Sequence, residues 1–377
     1  MNKYFSSLRL KLFLAGRTLG YTYDYTERLY KIYLNHCKVI HFRDGYPIYS
    51  LSSPALFSKP SANLFARIIY RSIQNKNLPN MLSFAVDDRC NASCEHCSFY
   101  DSVFSRKKQV LSTGEAKKVI ADAQELGVSV INFVGGEPLL RQDLNELIRS
   151  VDKDLSTTVL FTNGFLLKER APEIKKAGLD SVYVSIDSAD PQTHDRFRKV
   201  PGLFNKAIES ICTAKTLGLS TGLSCTLTPD SFTRGEFDRL VELAKKIGVH
   251  EVLVFDAMPT GRYKSRKDLI NNDWVEDLIT ASKKYNDDPS YPGVLVWAYS
   301  TSHRSVGCAC GTSSFYVSPY GDVSSCDFNH TVFGNVRKTP LFQIWDYLSS
   351  LPDFKQAKWG GCKIKDQNLR DGGVAKP

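Results

Sequence analysis

The sequence predicts an α/β fold built around a parallel β-sheet, and three observations carry that prediction. Six short apolar stretches recur along the middle of the chain: Leu82–Val86, Val128–Val134, Thr157–Phe161, Ser181–Ile186, Ser220–Leu227 and Glu251–Phe255. Helical patterns separate them, at Ser112–Leu126, Asp143–Val151, Leu166–Ala177, Leu203–Leu217 and Arg234–Ile247. Several of these helices stop at a glycine (Gly127, Gly178, Gly218, Gly248), the residue that adopts a left-handed C-cap at least cost. Strands alternating with helices call for right-handed crossovers and parallel pairing. In such sheets ligands sit beyond the carboxyl ends of the strands, so the segments that follow each strand are where chemistry is expected.

Residues 1–78 precede the alternation and read as a mostly helical extension. Phe5, Leu8 and Leu12 have helical spacing among Lys3, Arg9, Lys11 and Arg17, the Pro/Ser-rich stretch Ser52–Ser61 breaks the region, and a second helix is expected over Ala62–Gln74. A basic, apolar helix of the first kind can lie on a membrane surface; packing across the opening of the sheet is the alternative. Residues 79–270 form the core. After Thr260 the alternation stops; a helix is expected over Asp273–Lys284, and the short strands and turns of 271–377 read as a separate small α+β domain.

The chain has 377 residues, 42% of them hydrophobic and 24% charged, with a formal charge of +9. A moderate positive balance suits an anionic partner or simply a basic soluble protein, and nothing in the pattern calls for nucleic acid. The longest apolar run, Val294–Tyr299, reads as a buried strand and is too short to cross a bilayer. A cytoplasmic protein is therefore expected, with peripheral membrane contact through the N-terminal region as the variant. Clustered cysteines in a reducing compartment are more often metal ligands than disulfides, and the chain has ten cysteines. Cys37, Cys212 and Cys225 stand alone and read as small buried hydrophobes.

The first cluster follows the first strand: Cys90-Asn-Ala-Ser-Cys94-Glu-His-Cys97, spaced C-x3-C-x2-C. Three thiolates this close can hold three corners of a [4Fe–4S] cluster and leave one iron open to a small molecule. A structural zinc site normally takes four ligands. Zinc completed by His96 is the alternative, although a residue between two of the cysteines cannot easily turn to the same metal.

At these residues, and in the segments that follow in order, the sequence resembles the radical S-adenosylmethionine (SAM) superfamily over roughly residues 80–260. The resemblance implies a partial (βα)6 TIM-like barrel, a SAM-binding [4Fe–4S] cluster on Cys90, Cys94 and Cys97, and SAM as cofactor. It assigns Gly135-Gly136-Glu137-Pro138 to the SAM-binding glycine motif, with Glu137 facing the methionyl ammonium. Asn163, in Thr162-Asn163-Gly164, reads as a SAM contact or a helix-capping turn. Ser185 and Asp187 match the ribose-contacting segment and share one side of a strand. Ser224 and Thr226 have the same spacing, and Arg262 is assigned to SAM, substrate or a surface acid.

The second group, Cys308, Cys310, Cys326 and Cys362, frames a hairpin at Pro319-Tyr-Gly321-Asp, a Gly334-Asn335 turn and a helix carrying Trp345. It resembles the SPASM or shorter twitch auxiliary-cluster domain. The full pattern has more cysteines, and Lys365 stands where one would fall, so a single auxiliary cluster, a [4Fe–4S], is expected on these four. Cys310 is the least secure ligand; zinc on the same four thiols is the alternative. Asp327, His303 and His330 are nearby groups. The resemblance implies a radical oxidoreductase or maturase. It would cleave SAM reductively to a 5′-deoxyadenosyl radical, draw electrons from a donor such as ferredoxin or flavodoxin, and abstract hydrogen from a peptide or cofactor precursor. A membrane lipid or isoprenoid substrate, or a non-catalytic zinc scaffold, are the alternatives.

Overall fold

The alternation becomes one continuous sheet in the computed structural model of the chain, which describes residues 36, 38–74, 76–104, 108–270, 273–302, 304–355 and 362–365. The strands are β1 His41–Arg43, β2 Tyr46–Ile48, β3 Met81–Ala85, β4 Val130–Val134, β5 Thr157–Thr162, β6 Ser181–Ser185, β7 Ser220–Leu227, β8 Glu251–Asp256, β9 Gly293–Val296, β10 Ser314–Val317, β11 Asp322–Ser324 and β12 Gly334–Asn335. β1 and β2 form a hairpin; the other ten lie in the order β12-β11-β10-β3-β4-β5-β6-β7-β8-β9, whose edge strands do not close on each other. The six expected strands, β3 to β8, are parallel neighbours in sequence order. The sheet then extends past them: β9 pairs parallel with β8, and β10 pairs parallel with β3. The C-terminal segment thus continues the sheet of the core.

The expected helices form at Thr113–Glu125, Leu144–Arg149, Leu167–Lys176, Leu203–Thr216 and Glu236–Ile247. The first shows why its start was readable. Ser112 accepts from the Glu115 amide while Glu115 reaches back to the Ser112 backbone, a capping box. Gly248 takes φ +68 just past the last helix. One face of each strand meets these helices in a core that includes Leu82, Phe84, Ile131, Phe133, Leu160, Val182, Leu223 and Val252.

The alternate residues face the inner side of the curved sheet. Its lower layer, Val130, Val159, Tyr183, Leu253 and Leu295, packs on Ile48, Leu51 and Ala55 from the segment after the β1–β2 hairpin. A Cβ on Gly222 would lie 2.6 Å from the Tyr183 ring, so only glycine lets that ring occupy the inner side. The plug is polar as well as apolar. Buried Glu251 accepts from His36 at 2.5 Å, from the Leu51 amide at 2.7 Å and from the Tyr183 hydroxyl. Within the described residues the extension holds a hairpin, a plugging loop and one helix, Lys59–Gln74; residues 1–35, where the first helix is expected, lie outside them. The Phe5–Leu8–Leu12 pattern, Cys37 and His303 lie outside the described residues. No helix among the described residues is long and apolar enough to cross a membrane.

Three smaller expectations change. Val294–Tyr299 divides into β9 and a short helix, Trp297–Ser300. Gly334-Asn335 is a strand paired with β11 rather than a turn. Cys212 is exposed, because its helix buries Phe204, Ala207, Ile211 and Ala214 and residue 212 falls on the opposite face; Cys225 is buried as expected.

Candidate functional site

The carboxyl ends of β3 to β8 converge on one cavity of about 220 Å3. Cys90, Cys94 and Cys97 line it, on the loop after β3. Two glycine contacts clamp that loop. A Cβ on Gly136 would lie 2.1 Å from the Arg89 carbonyl oxygen, and one on Gly261 would lie 2.2 Å from that of Cys97. Hydrogen bonds hold it as well: Gly136 N to Asp87 O at 3.0 Å, Glu137 N to Arg89 O at 2.7 Å and Arg262 N to Cys97 O at 3.1 Å. Burial pushes the Cys90 thiol up to about 12 and Cys97 to about 11, and raises Cys94. Such thiols become thiolates only when a strong positive charge arrives with the ligand they bind.

Gly135, Gly136 and Glu137 line the cavity, whereas Pro138 lies behind it, buried at the start of a 3-10 turn. Glu137 is already engaged: it accepts from Thr162 Oγ1 at 2.7 Å, Leu139 N at 3.1 Å and Asn163 N at 2.8 Å. Burial nevertheless raises its carboxyl above the usual range. A carboxylate has about four acceptor positions, so roughly one is left to face a ligand. Asn163 also lines the cavity, and its side chain both donates to Asn91 Oδ1 at 2.7 Å and accepts from Phe165 N at 2.9 Å. It is a turn residue that ties β5 to the cysteine loop.

Ser185 and Asp187, with Ser224 and Thr226, line the cavity from neighbouring strands, and the two serine hydroxyls stand 3.2 Å apart. Asp187 accepts from Thr226 N at 2.9 Å and is bridged by Arg198 Nε at 2.7 Å. Arg198 was not anticipated from the sequence. It ends the helix Pro191–Arg198, is 7% exposed, and brings its Nη1 within 3.8 Å of Cys94 Sγ. Burial opposes both charges, yet Arg198 holds the Asp187 carboxyl low and Asp187 holds the guanidinium protonated. The same helix end anchors the cysteine loop, its carbonyls at Arg198 and Phe197 accepting from Ser93 N and Glu95 N. His96 turns away from the thiols: it stacks on Phe197 at 4.8 Å and faces Asp187 at 3.9 Å, so it does not complete a metal site with them. Arg262 lies over the Tyr100 ring at 4.3 Å and donates to Ser93 Oγ at 2.9 Å. It holds the loop while lining the cavity.

The auxiliary cysteines also come together. Cys308 accepts from the thiols of Cys310 and Cys362, which draws it towards thiolate and holds both donors protonated; Cys310 also meets Cys326. Cys310, the ligand read as least secure, stands in the middle of this chain of thiols, with its Sγ 3.0 Å from Ser325 Oγ. Lys365, at the position of the missing cysteine, reaches instead to Asp256 at the end of β8, 2.8 Å away and almost fully buried. Among the described residues no group of three or more His, Cys, Asp or Glu side chains is arranged to hold a single metal ion. The donor chemistry fits iron–sulfur clusters at both places: buried sulfur donors, and at the first a glycine cradle that a Cβ would fill.

The far wall of the cavity comes from elements distant in sequence. Asp327 and Phe328 enter beside Phe255 and Trp297, and Thr260 Oγ1 donates to Phe328 O at 2.8 Å. Burial pushes the Asp327 carboxyl up to about 6. The sequence placed Asp327 only near the auxiliary cysteines.

Two family profiles match the chain: "Radical SAM superfamily" over residues 86–244 and "Iron-sulfur cluster-binding domain" over residues 308–364. It is 28% identical over 316 residues to an AdoMet-dependent heme synthase of Methanosarcina barkeri, covering 77% of this chain and 90% of the relative. It is 31% identical over 219 residues to a GTP 3′,8-cyclase of Peptoclostridium acidaminophilum, covering 56% of this chain and 67% of the relative. Among solved structures, Streptococcus suis SuiB bound to S-adenosylmethionine superposes with a TM-score of 0.56 at 15% identity, covering 83% of this chain and 72% of SuiB, a likeness of fold.

Proposed function

We propose, from the premise that this chain belongs to the radical SAM superfamily, that it abstracts hydrogen from a peptide or cofactor-precursor substrate held between its two cysteine sites. The chain is a radical SAM enzyme with a C-terminal iron–sulfur cluster-binding domain, which sets the zinc-scaffold alternative aside. The observation that carries the finer reading is the single cavity in which Cys90, Cys94 and Cys97 meet Gly135, Ser185, Asp187 and the separate wall of Phe255, Trp297, Asp327 and Phe328.

When bound, the cluster and SAM supply a 5′-deoxyadenosyl radical able to abstract hydrogen; that chemistry belongs to the cofactors. The chain's residues do the rest. Cys90, Cys94 and Cys97 would hold the first cluster, and Cys308, Cys310, Cys326 and Cys362 the second. The Gly135-Gly136 backbone lets a ligand approach closely. Ser185, Ser224 and Thr226 offer hydroxyls at hydrogen-bonding height along two adjacent strands. Arg198 places a fixed positive charge between Asp187 and Cys94. The plug of Ile48, Leu51 and Ala55 packs on the lower part of the inner sheet face and keeps water from it. The cofactor-precursor half of the proposal is supported by the heme synthase of Methanosarcina barkeri and by a Fe-coproporphyrin III synthase of the same organism, 26% identical over 324 residues. An electron donor of the ferredoxin or flavodoxin type is the partner this reading requires.

Two experiments test it. Anaerobically reconstituted protein given SAM and dithionite should release 5′-deoxyadenosine, and Cys94→Ala should not. Comparing metabolites and peptides of cells carrying wild type or Cys94→Ala should then reveal a compound that accumulates only in the variant. Iron-loaded protein that never yields deoxyadenosine defeats the proposal.

A further inference from the structure

Three side-chain oxygens of residues that line the cavity carry an inference about the substrate. Asp327 Oδ2 accepts from Ser83 Oγ at 3.0 Å, but its Oδ1 is buried without a partner among the described residues. Asp256 gives Oδ2 to Lys365, and its Oδ1 is likewise buried and unmatched. Asn132 Oδ1 is the third; Asn132 is the register partner of Ser83 on the neighbouring strand, so it adjoins the Ser83–Asp327 contact. Asp256 and Asn132 are 1% and 7% exposed. All three residues line the reaction cavity.

Beside them three aromatic rings pack against one another. Phe255 lies 5.4 Å from Trp297 and 6.1 Å from Phe328, and Trp297 lies 6.4 Å from Phe328. The positive groups lining the cavity are elsewhere: Arg198 is held by Asp187 and Arg262 by Ser93, both against the cysteine loop. Lys365, the cation nearest this wall, is taken up by Asp256.

A buried acceptor left unmatched is destabilising, because the hydration it loses is not replaced. A ligand that brings N–H donors removes that cost, whereas a carboxylate adds further acceptors next to Asp327. Aromatic faces attract a cation for the same electrostatic reason. Resting on the reading of this cavity as the substrate site, we propose that the group bound at this wall is a protonated amine on an apolar or aromatic framework, anchored by Asp327, Asp256 and Asn132. A polycarboxylate such as a heme precursor would not find its counter-charge here. The substrate therefore differs in charge from that of the heme synthases to which the chain is similar.

The test uses the anaerobically reconstituted holoenzyme with SAM, and two probes of matched size, 2-phenylethylamine and 3-phenylpropanoate, measured by titration calorimetry. The amine should bind, and the acid should bind at least about tenfold more weakly. Asp327→Asn and Asn132→Leu, both close in volume to the native residues, should each weaken the amine about tenfold while their melting temperatures show the protein folded. Equal or tighter binding of the acid, binding of neither probe, or amine binding unchanged in both folded variants would overturn the proposal. Deoxyadenosine release by the wild-type protein is scored separately, so a failed amine assignment is distinguishable from a failed radical SAM reading.

Discussion

Arg198 illustrates how one side chain serves both stability and chemistry. It neutralises Asp187 in a buried place and extends towards Cys94. Removing one member of a buried pair leaves the other charge uncompensated, which costs roughly 3–5 kcal/mol. Arg198→Met should therefore lower the melting temperature markedly, and adding Asp187→Asn should restore part of it; a double variant no more stable than the single one would argue against the pair. His194 gives a pH signature. Its Nδ1 accepts the Asp187 amide at 3.2 Å, which requires a neutral ring, and burial followed by Arg198 brings its pKa down to about 4. The unfolded ring titrates near 6.5, so between those values the unfolded state binds the proton first. The stabilisation is complete above about pH 6.5 and is lost as pH falls towards 4, roughly 3 kcal/mol at most for this group. Urea midpoints measured from pH 7.5 to 5 should fall in wild type and fall less in His194→Asn, whose amide oxygen accepts without titrating.

At the scale of elements, the turns after the strands do the positioning. Gly136 sits where any side chain would strike the Arg89 carbonyl, one residue before Cys90. Gly136→Ala should shift the cysteine loop and reduce the iron retained at the first site, read as iron per chain and as deoxyadenosine released. Gly114→Ala, where a Cβ meets nothing within 4 Å, should change neither. Much of this was legible because it is local. Caps and strand periodicity depend on residues close in sequence, and they foretold β3 to β8; Gly135, Gly136, Ser185, Asp187, Thr226 and Arg262, named by the resemblance, all line the cavity. Glu137 and Asn163 line the same cavity, but their hydrogen bonds spend most of their capacity on the turns themselves. Pro138 was part of the motif only as the residue that turns the chain.

At the scale of the whole molecule, the sheet runs unbroken from the core into the C-terminal segment, and the Lys365–Asp256 pair bridges the residue three past Cys362 to the end of β8. Lys365→Met should strand Asp256 as a buried carboxylate and loosen the last auxiliary cysteine. The expected result is a lower melting temperature together with fewer irons per chain after anaerobic reconstitution, the first site still releasing deoxyadenosine. Full iron content and unchanged stability would show that the pair is dispensable.

By itself the sequence determined the parallel α/β class, the succession of core strands and helices and both cysteine groups, because each is written in short-range spacing and propensity. Only the tertiary structure decided that Arg198 faces Cys94, that Lys365 pairs with Asp256, and that Asp327 and Phe328 line the cavity together with residues of β4, β8 and the residue after β9. Those contacts join residues tens to hundreds of positions apart. They form only when the sheet curves and its plug and C-terminal hairpin pack into place, and no local pattern encodes that closure.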